Sequence, residues 1–267
     1  MGPTLLELIK NGSISKLSLF AKFKLIKDFI KQISNLIIDE NKWIVHNDIK
    51  LNNITIKNID AFKNNNNNDD ELCNVSLIDF GISYFSEYGL PRQLNTNGSA
   101  FSPAYILLTK KLQENIPRKL SYKPTIADLH QLQFWGILNI LYDVIMDEIY
   151  FFSHRSANSN NITIADLQLP NVDVQSKIWL LRDYLKNKLI ESIKDKLKNI
   201  EILLKESLLN NINNLINTLI MEEGNLMELD KVIDDILELL MYPIRAQITT
   251  NIATPSIENP DSLNSQT

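Results

Sequence analysis

Cysteine is nearly missing from this chain: Cys73 stands alone among 267 residues. No internal disulfide can form, and a reducing interior is the natural setting. Histidine is almost as scarce, and His46, His130 and His154 lie too far apart in sequence, with one thiol, to compose a Cys/His zinc pattern. Only 7 glycines occur, and no G-x-G-x-x-G phosphate loop is among them. Neither sign of charge dominates. The 27 Lys and Arg against 32 Asp and Glu leave a formal net charge of −5, which does not gather a phosphate backbone, so nucleic acid is not an expected partner. No apolar run reaches the ~18 residues that a membrane span requires. Met1-Gly2-Pro3-Thr4 opens no basic segment followed by an apolar one, and Leu6 stands where a myristoylation signal needs Ser or Thr. These absences predict a soluble, intracellular, cytoplasmic protein without a membrane partner, in which sequons such as Asn53-Ile54-Thr55 carry no glycan.

What is present is ample core material, 44% hydrophobic residues, patterned mainly for helices. Leu19, Phe23, Ile26, Ile30, Ile33 and Ile37 recur at steps of three and four and predict a helix between Leu17 and Asp39. Ile54 and Ile56 alternate with Thr55 and Lys57, and the run "NVSLIDFG" follows, so the two segments predict a hairpin. Between them the tract "FKNNNNNDDE" is too polar to pack and reads as a loop insertion over 64–70. The stretch from "GISYFSEYGLPRQ" onward has Gly, Pro, Asn and Ser without a sustained period, which suggests a long ordered loop. A buried helix is expected from about Thr125 to Met146. Further on, Leu181, Leu185, Leu189, Ile193, Leu197, Ile200 and Leu204 keep helical spacing and read as core. At least two helices are expected there, with Gly224 as a stop before a last one ending near Pro243. The polar residues 249–267 read as a disordered tail. The fold class is therefore mainly α with a small β-hairpin.

The chemistry concentrates in "IVHNDIKLNNITI", residues 44–56, and in "LIDFG", residues 77–81. In a chain rich in Asn and Asp, an isolated Asp48 would read as a turn residue or a helix cap. The joint pattern says more. A helix leads into H-x-D-x-K-x-x-N at 46–53, a hairpin follows, then D-F-G at 79–81 and a long loop. This order resembles the C-terminal lobe of the eukaryotic-type protein kinase superfamily. The resemblance implies phosphoryl transfer from ATP to a protein serine or threonine hydroxyl, a reaction in which the protein chiefly positions groups and neutralises charge. It assigns Asp48 the proton of the attacking hydroxyl and Lys50 the developing charge on the phosphate. Asn53 and Asp79 would be hard oxygen ligands for the Mg²⁺ that accompanies ATP. His46, Phe80 and Gly81 would be structural supports, the first two packing together and the glycine freeing the backbone beside Asp79.

The resemblance extends downstream, where "GSAFSPAY" at 98–105 is similar to the end of an activation segment carrying Thr96 and Ser99. Ser102-Pro103-Ala104 stands where the family has Ala-Pro-Glu, so the ion pair that anchors that turn lacks its carboxylate. "ADLHQLQFWGIL" at 127–138 is similar to the next buried helix, whose Asp128 would accept N–H bonds from the catalytic loop. Asn47 replaces the arginine that normally precedes the catalytic aspartate, so a phosphate on Thr96 or Ser99 is expected to matter little.

At the front, "GPTLLELIKNG" at 2–12 resembles the segment just after the hinge between kinase lobes. The glycine-rich loop, the strand lysine and its glutamate have no counterpart in these residues. The resemblance thus makes 1–154 a C-lobe core, clearest from Leu5 to about Ile149, and 155–248 a helical continuation or an appended helical region. It also implies apolar surface near Leu5, Leu6 and Leu51 that a partner would cover. Three functions follow. One is a protein serine/threonine kinase, weak or inactive without its other lobe. Another is a non-catalytic, pseudokinase-type interaction module. The third is a small-molecule kinase of the choline or aminoglycoside type, against which Lys50 and Gly81 speak.

Overall fold

Ser18 opens the helix that the apolar stripe predicts, its hydroxyl accepting the Ala21 N–H at 3.2 Å. The computed structural model describes residues 2–36, 42–62, 75–90, 125–147, 186–198, 201–221 and 226–252. A short helix α1 (Leu5–Lys10) precedes α2 (Leu19–Ser34). Four short strands follow: β1 (Ile44–Val45), β2 (Ile54–Ile56), β3 (Val75–Leu77) and β4 (Tyr84–Phe85). The remaining helices are α3 (Ile126–Met146), α4 (186–196), α5 (Ile202–Met221) and α6 (Leu226–Ile252). The described chain is mainly helical, with two small two-stranded sheets.

α1 begins in a capping box, in which Glu7 N–H donates to Thr4 Oγ1 at 3.3 Å and Thr4 N–H donates to Glu7 Oε2 at 2.8 Å. The expected hairpin forms between β2 and β3, antiparallel, with Ile54 opposite Leu77, Thr55 opposite Ser76 and Ile56 opposite Val75. Its predicted tip, 64–70, lies outside the described residues. On the other edge of β2, Ile56 N–H donates to Pro3 O at 3.0 Å and Thr4 bridges Thr55. Both edges of β2 are therefore paired, and all three of its residues, Thr55 included, are buried.

One apolar cluster runs from Leu5 to Leu240. Phe23, Ile26, Phe29, Ile30 and Ile33 of α2 are fully buried, and α2 packs against both α3 and α6. α5 packs against α3 and α6, and Leu189, Ile193 and Leu197 join the same core. The described part of 186–252 is thus packed into the core built by the first helices. No described helix is long and apolar enough to cross a membrane.

Three expectations are corrected. The apolar surface expected at Leu5, Leu6 and Leu51 is covered by the chain itself: Leu5 and Leu51 are 0% exposed, and Leu6 is half-buried against the core. The cover exists because α1 lies on β2 and on the 3-10 turn Leu51–Asn53. The last helix does not end near Pro243 but runs on to Ile252. A proline removes one N–H and one i−4 bond, a local loss that the turns on either side tolerate. The expected tail is accordingly helical over its first residues, 249–252, and 253–267 lie outside the described residues.

Two polar contacts fasten α2. Lys22, 1% exposed, places Nζ 2.6 Å from Asp147 Oδ1 just past α3 and donates to Ile145 O at 3.4 Å. Lys196 Nζ lies 3.9 Å from the other carboxylate oxygen of Asp147. Burial pulls the Lys22 pKa below its ordinary value, and the Asp147 carboxylate opposes that pull. Nearer solvent, Lys27 of α2 pairs with Asp234 of α6.

Candidate active site

β1 delivers the chain to His46, and the 3-10 turn Leu51–Asn53 carries it onward into β2. The loop between them turns through Asn47, whose φ of 57° lies in the left-handed region that Asn tolerates. That turn brings Asp48, Lys50 and Asn53 together. Asp48 Oδ2 accepts from Lys50 Nζ at 2.6 Å and from Asn53 Nδ2 at 2.9 Å. Asn53 Nδ2 also donates to Asp48 O at 2.9 Å, and Asn53 N–H closes the turn onto Lys50 O at 2.9 Å. Asp48 and Lys50 are partly exposed, at 18% and 31% of their side chains, so the cluster opens to solvent. Asn53, in contrast, is buried.

The second motif is tied to the first through its neighbours. Ile78 N–H donates to Asn53 O at 2.9 Å, and His46 Nε2 lies 3.0 Å from Ile78 O. The His46 and Phe80 rings sit 4.7 Å apart at 59°, a contact distance for tilted rings. Asp79 lies between these two anchors, exposed, with φ 63°. The left-handed step therefore falls on Asp79 and not on Gly81. Gly81 serves differently: its N–H faces Asp79 Oδ1 at 3.4 Å, and a Cβ there would stand 3.3 Å from the same oxygen. With Asn53 Nδ2 committed to Asp48, the oxygen donors that could face a hard cation are Asn53 Oδ1 and the Asp79 carboxylate. Among the described residues, no group of three or more His, Cys, Asp or Glu side chains could hold a metal ion by itself.

His46 is fully buried, and its partners define its tautomer. Asp48 N–H donates to Nδ1 at 3.3 Å, so Nδ1 carries the lone pair and Nε2 the proton given to Ile78 O. Burial lowers the His46 pKa from its ordinary 6.5, and the bond to Ile78 only partly opposes this. The native state thus binds fewer protons than the unfolded one just below that value. By linkage, His46 contributes stability that is whole above about pH 6.5 and falls as the pH drops toward the depressed folded value. Urea midpoints measured between pH 7.5 and 5 should decline for the native chain, and the decline should be shallower in His46→Gln. An equal decline in both would remove His46 as the cause.

α3 supports this loop from below with residues that sequence reasoning missed. Gln133 Nε2 donates to Ile44 O at 3.3 Å. A Cβ on Gly136 would fall 2.6 Å from Ile49 Cβ, so the loop rests where α3 has no side chain. The available signal was a glycine inside a strongly apolar helix, where it is unfavourable unless something approaches closely. Gly136→Ala should lower the urea midpoint although alanine favours helix; an unchanged or raised midpoint would show that Ile49 simply moves aside. Asp128 lies in the first turn of α3 by its backbone, and its side chain is outside the described residues, as are Thr96, Ser99 and 102–104. No protein-family model and no curated protein sequence matches the chain.

Proposed function

We propose that this chain carries the lower half of a phosphoryl-transfer site of the protein serine/threonine kinase type, with ATP as donor and a protein hydroxyl as acceptor. The observation that carries the proposal is the hydrogen-bonded set Asp48–Lys50–Asn53, joined through the Asn53–Ile78 bond to the segment bearing Asp79. Lys50 and Asn53 both hold Oδ2 of Asp48. That fixes the carboxylate plane and leaves Oδ1 to take a proton from an approaching hydroxyl. Lys50, half in solvent, is placed to exchange its carboxylate partner for a phosphoryl oxygen as negative charge builds there. Bound Mg²⁺ would neutralise the nucleotide phosphates, and the hard oxygens of Asn53 and Asp79 suit it. His46 and Phe80 keep the two motifs in register.

Equilibrium dialysis with Mg²⁺ and labelled ATP tests this. The chain should bind nucleotide weakly and only with the divalent ion. Asn53→Ala and Asp79→Ala should each weaken binding at least tenfold, the usual scale of losing a metal-supporting group. Metal-independent binding, or none, would overturn the assignment. A module that holds nucleotide or a protein partner without turnover is the alternative, favoured by the missing G-x-G-x-x-G. A small-molecule kinase remains disfavoured by Lys50 and Gly81.

A further inference from the structure

The segment that follows Asp79 is fastened to the segment that precedes Asp48 from Ile82 to Ser86. Trp43 O accepts Ser86 N–H at 3.0 Å, β1 pairs with β4, and Ser83 Oγ donates to His46 O at 3.0 Å. In the middle of this seam sits Asn47, 3% exposed, whose Nδ2 donates to Ile82 O at 3.4 Å and to the Tyr84 hydroxyl at 3.3 Å. Asn47 adjoins Asp48, and Ile82 comes three residues after Asp79, so one carboxamide spans both motifs. Its left-handed backbone turns that carboxamide inward rather than to solvent.

We infer that Asn47 is a positioning residue, a neutral clasp that sets where Asp79 stands relative to Asp48 and Asn53 by holding Ile82 and Tyr84 to the loop. The inference rests on the phosphoryl-transfer reading above and adds to it what does the positioning. An amide donates to a carbonyl and a hydroxyl without needing a counter-charge, so the clasp is closed in the unmodified chain. The bonds named above join neutral groups throughout. Each bond is long, and their effect comes from acting in a buried place where water offers no ready replacement.

The test uses the intact chain and two substitutions. Asn47→Gly removes both donors while keeping the positive φ available, and Tyr84→Phe removes only the hydroxyl, so it preserves packing even if the first variant folds poorly. Amide hydrogen exchange is read at 78–86, with α2 and α5 as internal references, and Mn²⁺·ATP affinity is read in parallel. Exchange at 78–86 should rise about five- to tenfold in Asn47→Gly and by a smaller factor in Tyr84→Phe, with the reference helices unchanged. Mn²⁺·ATP affinity should fall in the same order. Unchanged exchange in both variants would overturn the clasp whatever the nucleotide does. Faster exchange with undiminished affinity would overturn the positioning role and leave a merely structural contact. A native chain that binds no Mn²⁺·ATP would overturn the phosphoryl-transfer reading and the positioning role with it, while the exchange data would still decide whether the clasp exists.

Discussion

Incubated with ATP, Mg²⁺ and a generic basic protein substrate, these 267 residues alone should transfer phosphate at close to the background rate. In the proposed reading, Asp48, Lys50, Asn53 and Asp79 would address the acceptor hydroxyl, the transferred phosphoryl and the metal. Nothing in the chain matches the glycine-rich loop and strand lysine that, in the family it resembles, grip the other phosphates from above. Rate in such reactions comes largely from holding reactants in line, and losing that alignment forfeits effective molarity on the order of 10⁵ or more. Electrostatic donors lost with it add roughly another 10²-fold for each contact removed. The residual signal is read against Asp48→Asn, which keeps the shape but cannot accept the proton. Robust transfer that disappears in Asp48→Asn would mean that the rest of the clamp is supplied from elsewhere in these residues. Nucleotide binding with a residual transfer signal that Asp48→Asn leaves unchanged would favour the module without turnover.

Removing the carboxylate at position 147 should unfold the protein more readily than any change on its surface. Lys22 is buried and its ammonium faces Asp147 Oδ1 at 2.6 Å, with Ile145 O as its other partner among the described residues. Asp147→Asn keeps the side-chain shape and suits the positive φ of 58° there, so it isolates the charge. An unpaired buried ammonium costs about 3–5 kcal/mol, roughly 10 °C in Tm for a chain of this size. The converse change is milder. Lys22→Met fills a similar volume with apolar atoms, and it leaves Asp147 beside Lys196 and, at 22% side-chain exposure, in reach of water. The double variant should recover most of the loss caused by Asp147→Asn alone. Urea denaturation of the three variants measures this asymmetry. A loss below about 1 kcal/mol for Asp147→Asn would show that water already serves the lysine.

The parts of the fold legible in sequence were those with a sustained period. The stripe through Phe23, Ile26, Ile30 and Ile33 announced α2, which starts two residues after the expected Leu17 but ends at Ser34, five residues short of the expected Asp39, and the apolar run from Ile126 to Met146 announced α3 within a residue. The β2–β3 pairing was legible because Ile54 and Ile56 alternate and a second β-rich run follows. The β1–β4 pair was not. Two residues on each side, Ile44–Val45 and Tyr84–Phe85, hold no period, and their pairing is imposed by the seam around them. Lys22 was illegible for another reason: a lysine within an apolar stripe reads as an exposed side chain, and only the distant Asp147 makes its burial tolerable. For the site, the residue types of Asp48, Lys50, Asn53 and Asp79 were visible, since two short motifs carry them. The contacts around them, Gln133 to Ile44, Gly136 to Ile49 and Asn47 to Tyr84, join distant segments or depend on one left-handed backbone step. Neither kind of information is written in a local pattern.

The packing of α2 also fixes an order of events during synthesis. Its ionic link to Asp147 closes over 125 residues and its link to Asp234 over 207. At ordinary translation speeds of about 5–20 residues per second, α2 is made roughly 10–40 s before α6 is complete. Through that interval Phe23, Ile26 and Ile30 have no α6 to lie against, and the nascent chain presents a sticky helix before its last partner exists. Such long closures also slow the final collapse, because the entropy of joining distant segments is lost before the contacts repay it. The same side chains that anchor the finished core therefore make the half-made protein a client for chaperones, and they tie its yield in a cell to how quickly the ribosome reaches α6.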